Sequence, residues 1–253
     1  MFQLDLPKRT TKVRNEGITH VLDKGLGLNA VDDLISSAAQ YIDILKLGWG
    51  TSYITQNLSE KIQRYRDADI DVCLGGTIFE CAYVQNKVED LKSWMKDLGL
   101  TFVEVSDGSV SIPMKEKLKY VELFAKDFKV LSEIGSKDAE VVVAPFKWVE
   151  EIKNTLKAGA YKIVTEGRES GTVGVFRNSG EIRKGLIEEI LASTDISNIV
   201  FEAPQKAQQV WFIKEFGSNV NLGNIAYDEV ISLETIRLGL RGDTVVDFVQ
   251  KEK

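Results

Sequence analysis

One histidine stands among 253 residues, accompanied by only two cysteines and four prolines. A zinc centre usually collects several His and Cys ligands, so His20, Cys73 and Cys81 make a poor set. A Ser-His-acid triad would have to use His20, which lies inside an apolar, strand-like run where a packed core histidine is the plainer reading. Chemistry in this chain therefore falls to carboxylates, lysines and arginines, or to a metal held by oxygens. Two cysteines leave no disulfide framework and suit a reducing compartment. No run approaches the roughly 20 apolar residues of a membrane span, and the polar residues after Met1-Phe2-Gln3-Leu4-Asp5 leave no apolar signal core. The expectation is a cytoplasmic protein with no membrane partner. A clustered basic face is missing too: the net charge is −6, and Lys and Arg alternate with Asp and Glu along the helical stretches, which argues against nucleic acid.

What is present is a repeating strand-then-helix rhythm in a chain whose 43% hydrophobic content is ordinary for globular proteins. Strand-like runs occur at 18–23, 42–47, 71–75, 101–106, 129–134, 161–166, 198–202 and 219–222. Amphipathic stretches fill the intervals at 30–41, 58–68, 88–98, 115–125, 147–156, 182–191, 206–216 and 229–240. Asn57 precedes Glu60 at capping-box spacing, and Gly99, Gly159 and Gly217 stand where helices end. Eight such units are the count for an α/β fold of the (β/α)8 TIM-barrel type, a single domain over residues 17–253. An open doubly wound sheet is the competing architecture. Residues 1–16 lie outside the rhythm as an N-terminal extension, placed to cap the barrel's bottom or to touch another subunit of a homo-oligomer.

The polar residues gather at strand ends. The runs close with Asp23-Lys24, Lys46, Gly75-Gly76-Thr77, Glu104, Glu133, Glu166-Gly167-Arg168, Glu202 and Asn221. Lys46 is in phase with Ile44, Glu104 with Phe102, Glu133 with Leu131 and Glu202 with Val200, so each charge continues its strand's own apolar row. Ionisable groups there are costly to desolvate unless they face a polar cavity or pair up, and in a barrel these ends converge on one mouth. Four carboxylates so close call for a cation. Mg²⁺ takes oxygen ligands, with one or two carboxylates and substrate oxygens among them, and Lys24, Lys46 and Arg168 would then hold phosphate or carboxylate groups. Mutual Lys–Glu and Arg–Glu pairing at the barrel top is the competing account. Gly75-Gly76 could turn backbone N–H groups toward an anion, and a tight turn explains them equally well. Lys162, mid-strand, is the alternative for Schiff-base chemistry.

The segments VLDKG from Val21, KLGWGTS from Lys46, GGTIFE from Gly75 and EVSDGS from Glu104 carry a family likeness. It continues through EIG from Glu133, EGRESG from Glu166, FEAPQKAQQ from Phe201 and NVNLGNIAYDEVISLETIRLGLRGDT from Asn219. Over about residues 17–244 the chain resembles the phosphosulfolactate synthases of coenzyme M and sulfolactate biosynthesis. The resemblance implies a barrel and Mg²⁺-dependent addition of sulfite to phosphoenolpyruvate, giving (2R)-phospho-3-sulfolactate. Strand-end position together with the resemblance assigns Glu104, Glu133 and Glu166 to the metal. It assigns Lys24, Lys46, Arg168, Gly76, Asn221 and Asn224 to substrate, with Lys46 and Arg168 also catalytic. Lys137 is the proton donor it implies, because the family's matching loop also carries lysine. Two stretches depart from the archaeal pattern: the loop after Lys137, up to about Glu150, and TVGVFRNSG from Thr172, which is closer to bacterial and plant relatives. Some plant members are associated with heat-stress tolerance. The readings left beside the synthase are a related lyase or aldolase on another phosphorylated enol or keto acid, and a non-catalytic, stress-related relative.

Overall fold

The computed structural model describes residues 2–135 and 143–250. Its strands are β1 Thr19–Asp23, β2 Ile44–Leu47, β3 Asp71–Leu74, β4 Phe102–Val105, β5 Lys129–Ile134, β6 Lys162–Thr165, β7 Ile199–Glu202 and β8 Leu222–Ala226. All pairings are parallel, in the order β3-β2-β1-β8-β7-β6-β5-β4. β3 and β4, at the two ends of that order, lie side by side, so the sheet curls into a nearly closed (β/α)8 barrel. No open doubly wound sheet forms.

The outer layer comprises α1 Leu28–Ala38, α2 Thr51–Ile54, α3 Leu58–Asp67, α4 Gly76–Val84, α5 Val88–Asp97, α6 Met114–Ala125, α7 Pro145–Lys157, α8 Lys184–Leu191, α9 Lys206–Phe216, α10 Val230–Arg237 and α11 Val245–Gln250. Helical periodicity explains most of it. α5 buries Val88, Leu91 and Met95, and α7 buries Trp148, Ile152 and Thr155, each set forming one stripe against the barrel. No helix among the described residues is long and apolar enough to cross a membrane.

Inside the barrel one apolar storey consists of Ile18, Ile44, Cys73, Phe102, Leu131, Val164 and Val200. Two residues further along these same rows come His20, Lys46, Gly75, Glu104, Glu133, Glu166 and Glu202. The pleat that sends Val164 inward must therefore send Glu166 inward above it. The alternation that closes the barrel's floor also builds its charged ceiling.

Three expectations need correction. The eighth strand is Leu222–Ala226 rather than 219–222. Gly223 interrupts its apolar run, because a Cβ there would come within 3.1 Å of both His20 Nδ1 and Val200 Cγ1. Asn57 adopts φ 57 at the start of α3 and makes no side-chain cap, so the capping-box reading fails. α4, missed entirely, carries Ile78, Phe79, Ala82, Tyr83 and Val84 around its circumference and so shows no stripe.

β8 also carries a bulge. Thr19 pairs with Leu222 and Val21 with Ile225, so two β8 residues oppose the single His20. Asn224, one of the two, takes φ 54. At the barrel's lower end, Arg9 bonds Glu234 at 2.9 Å and Asn219 at 2.7 Å, and Arg14 bonds Asp43 at 2.9 Å. The fully buried Arg237 guanidinium donates to the carbonyls of Ser218, Val220 and Ile18.

Candidate active site

The C-terminal strand ends surround a cavity of about 540 Å³. Its walls include Leu22, Lys46, Trp49, Gly76, Glu104, Glu133, Glu166, Arg168, Glu169, Glu202 and Asn224. Lys46 stands at its base with Nζ 3.2 Å from both Glu104 Oε2 and Glu202 Oε1. The other oxygen of Glu104 accepts the Gly76 N–H at 2.6 Å, at the positive start of α4. The other oxygen of Glu202 accepts the Gly167 N–H at 2.9 Å, and Glu166 accepts the Arg168 N–H at 2.7 Å. Glu104 and Glu202 are thus oriented by backbone from a neighbouring strand end, and Glu166 by backbone of its own loop.

Electrostatics follow from this crowding. Burial opposes the charge on Lys46, but Glu104, Glu202 and Glu133 outweigh it and hold the ammonium protonated well above its usual range. Burial pushes Glu202 up to about 7; Lys46 pulls the other way, and Glu133 and Glu104 add to the rise. Beneath the cavity, burial and then Lys46 drive His20 well below the usual histidine range, so its imidazole is neutral, with Nε2 3.8 Å from Cys73 Sγ. The packed-core reading of His20 describes its surroundings.

Two buried lysines reach the strand ends from outside the barrel. Lys61 on α3 bonds Asp23 Oδ2 at 2.6 Å and the Leu26 carbonyl at 2.8 Å, and Tyr65 donates to the same Asp23 oxygen at 3.0 Å. Lys117 on α6 bonds Asp107 at 2.7 Å, the Glu133 carbonyl at 2.7 Å and Glu151 at 2.9 Å. Sequence reading gave neither lysine a place in the interior. The missed signal was phase, since Lys117 shares a stripe with Val121 and Phe124.

Of the residues expected in the site, Lys46, Gly76, Glu104, Glu133, Glu166, Arg168 and Asn224 line the cavity together. Gly76 gives its N–H to the Glu104 carboxylate, so that group is already engaged within the wall. The Asn224 carboxamide oxygen has no hydrogen-bond partner among the described residues. Lys24 is not in the wall. It lies at the rim, paired with Glu169 and 5.9 Å from the Trp49 ring centroid. Asn221 is at the opposite end, where its side chain accepts the Ile18 N–H and donates to the carbonyls of Ser197 and Ile199. It ties backbone together below the barrel and is not part of this cavity's wall. Lys162 begins β6 at that lower end and donates to the Ser197 carbonyl at 2.8 Å, far from any Schiff-base position. Lys137 lies outside the described residues. Glu169, Trp49 and Ser170 are wall residues that sequence reasoning passed over.

No group of three or more His, Cys, Asp or Glu side chains forms a ready-made metal cage among the described residues. Mg²⁺ does not require one, since it binds through one or two carboxylates and keeps waters and substrate oxygens. A wall with several carboxylates fits that habit. Glu104 would have to release Lys46 to become a ligand.

Comparison with known proteins agrees with this architecture. A family profile for (2R)-phospho-3-sulfolactate synthase (ComA) matches residues 7–243. The chain is 44% identical over 246 residues to phosphosulfolactate synthase of Bacillus subtilis, covering 96% of this chain and 98% of the relative. It is 45% identical over 235 residues to that of Methanocaldococcus jannaschii, covering 90% and 93%. Among solved structures, 3-hexulose-6-phosphate synthase from Salmonella typhimurium superposes with a TM-score of 0.57 at 13% identity, covering 92% of this chain and 99% of that one. That likeness speaks to the fold alone. A barrel whose charged strand ends converge on one cavity, matched along nearly its whole length by these sequences, belongs to the phosphosulfolactate synthase family.

Proposed function

We propose that this chain adds sulfite to phosphoenolpyruvate in a Mg²⁺-dependent reaction that yields (2R)-phospho-3-sulfolactate. The observation that carries the reading is the charge of the cavity wall. Glu104, Glu133, Glu166, Glu169 and Glu202 line it together with Lys46 and Arg168. Carboxylates and cations side by side suit multiply charged anions bridged to the wall by a divalent cation held by oxygens.

In the proposed reaction the sulfur lone pair attacks the methylene carbon, C3. The C2–C3 π electrons move to C2 and into the adjacent carboxylate, and a proton then adds to C2 from one face. Lys46, held protonated at the base, faces the carboxylate on which negative charge grows. Preorganised positive charge at such a point is commonly the largest catalytic contribution. Arg168, at the wall nearer the rim, has the planar fork that suits a phosphoryl or sulfonate group. Bound by Glu104, Glu133 or Glu166 together with substrate oxygens, Mg²⁺ would supply further positive charge for the same developing enolate. Sulfite is already a nucleophile, so no protein base is required to activate it.

The test combines purified protein, phosphoenolpyruvate, sulfite and Mg²⁺, with product followed by ³¹P NMR and mass spectrometry. Phosphosulfolactate should form only when all components are present and should vanish with EDTA. Absence of product under every condition would sink the proposal, and full activity in EDTA would remove the metal from it.

A further inference from the structure

Lys117 presents an arrangement that the proposed reaction does not explain. Its side chain is completely buried on the inner stripe of α6, beside Val121 and Phe124, and it is not part of the cavity wall. Its three N–H donors have three acceptors within 2.7 to 2.9 Å, on three different segments. These are Asp107 in the loop after β4, the main-chain carbonyl of Glu133 at the end of β5, and Glu151 on α7. Burial opposes its charge, but Glu151 and Asp107 hold the ammonium protonated. A fully satisfied buried ammonium is a rigid joint, because tilting toward any one acceptor costs the other two.

The third acceptor makes the joint functional. Glu133 sends its side chain into the cavity while its carbonyl is fixed from behind. The third N–H of the buried ammonium needs an acceptor, and the one it takes lies directly behind a cavity-lining carboxylate. We infer that Lys117 is a positioning residue for the cavity: its clamp sets the height and direction at which Glu133 enters the site. This rests on the proposed function for its catalytic consequence, though not for its geometric one.

Removing Lys117 alone would leave two half-buried carboxylates without their cation and could simply unfold the chain. The informative variant is therefore K117M/D107N/E151Q, which deletes the clamp without leaving an unpaired charge. Its melting temperature should fall only by the few degrees that freeing the Glu133 carbonyl costs. Loss of an outer support of a catalytic or metal-binding group typically costs about 10- to 100-fold in activity. The expectation is a kcat lowered by that amount with KM for phosphoenolpyruvate nearly unchanged. In parallel, amide hydrogen exchange should accelerate at residues 131–134 and remain at wild-type rates in β1 and β7.

Wild-type kcat in the triple variant would overturn the inference. So would a loss of activity accompanied by a much larger fall in melting temperature and faster exchange throughout the barrel, since Lys117 would then be merely structural. If the wild-type protein itself makes no phosphosulfolactate, the proposed function fails separately. Hydrogen exchange then decides the clamp alone, and unchanged rates at residues 131–134 would refute it.

Discussion

Glu202→Gln should make the protein more stable at neutral and alkaline pH, not less. Glu202 is 1% exposed, and its carboxyl is raised from an ordinary 4.5 to about 7, mainly by burial. A carboxyl that binds its proton more tightly in the folded chain contributes stability only while protonated. That contribution is complete below pH 4.5, drains away between 4.5 and about 7, and is absent above. Each tenfold change in proton affinity is worth about 1.4 kcal/mol, so holding the ionised group in place costs about 3 kcal/mol at pH 8. Glutamine escapes that cost but cannot accept from Gly167 and face Lys46 with oxygen at both positions. The lost hydrogen bond returns about 1 kcal/mol. The balance is a gain of about 2 kcal/mol at pH 8, which in a chain of this size is a rise of about 4–8 °C in Tm. Calorimetry or denaturant unfolding from pH 4.5 to 8.5 would read it. The wild type should weaken across the window relative to the variant, and the curves should cross as pH falls. A variant that is less stable than wild type at pH 8, or that keeps the wild-type pH slope, would refute the reasoning. Because Glu202 orients Lys46, this stabilising change should also lower activity, as stored strain at active sites generally implies.

Lys46→Met should reduce kcat/KM by about 10²- to 10³-fold, the usual loss when one charge-stabilising group is removed; steady-state kinetics at saturating Mg²⁺ would show it, and an unchanged kcat/KM would reduce Lys46 to a structural ion pair. Glu169→Gln frees Lys24 at the rim from an exposed pair worth at most about 1 kcal/mol. KM for phosphoenolpyruvate should therefore fall by no more than about fivefold with Tm unchanged, whereas a raised KM would show that Glu169 assists binding. Gly76→Ala forces a Cβ to 2.5 Å from Ser106 Cβ and 2.9 Å from Glu104 Oε1. It should cost about 1–3 kcal/mol of stability and most of the activity, and a wild-type Tm would show that α4 moves aside easily.

The sequence made the barrel legible wherever strand alternation carried an apolar row into a charge. Ile44 to Lys46, Phe102 to Glu104 and Leu131 to Glu133 are such rows, and all three charges reach the cavity. Legibility failed where a row lacks a side chain to read. Gly223 replaces the apolar residue on β8 because His20 and Val200 fill its space, so the strand was read three residues early and Asn221 was taken for a rim residue. The rim position of Lys24 was not readable, because a long flexible chain beyond a strand end has no phase and its partner Glu169 comes from a distant loop. Lys61 and Lys117 escaped because a charge on an amphipathic helix normally faces water. Only the partners gathered around each ammonium in three dimensions account for their burial.

The bulge in β8 has a consequence for how the cavity is furnished. β1 counts one residue, His20, where β8 counts two, so Gly223 and Asn224 both turn toward the lumen while Leu222 and Ile225 stay in the outer packing. The glycine makes a seat for the imidazole, and the asparagine is lifted one level higher into the wall. Deleting either residue would leave the flanking ladder in frame and keep Ile225 on its own side. The shortened strand could then serve the histidine or the cavity, but not both.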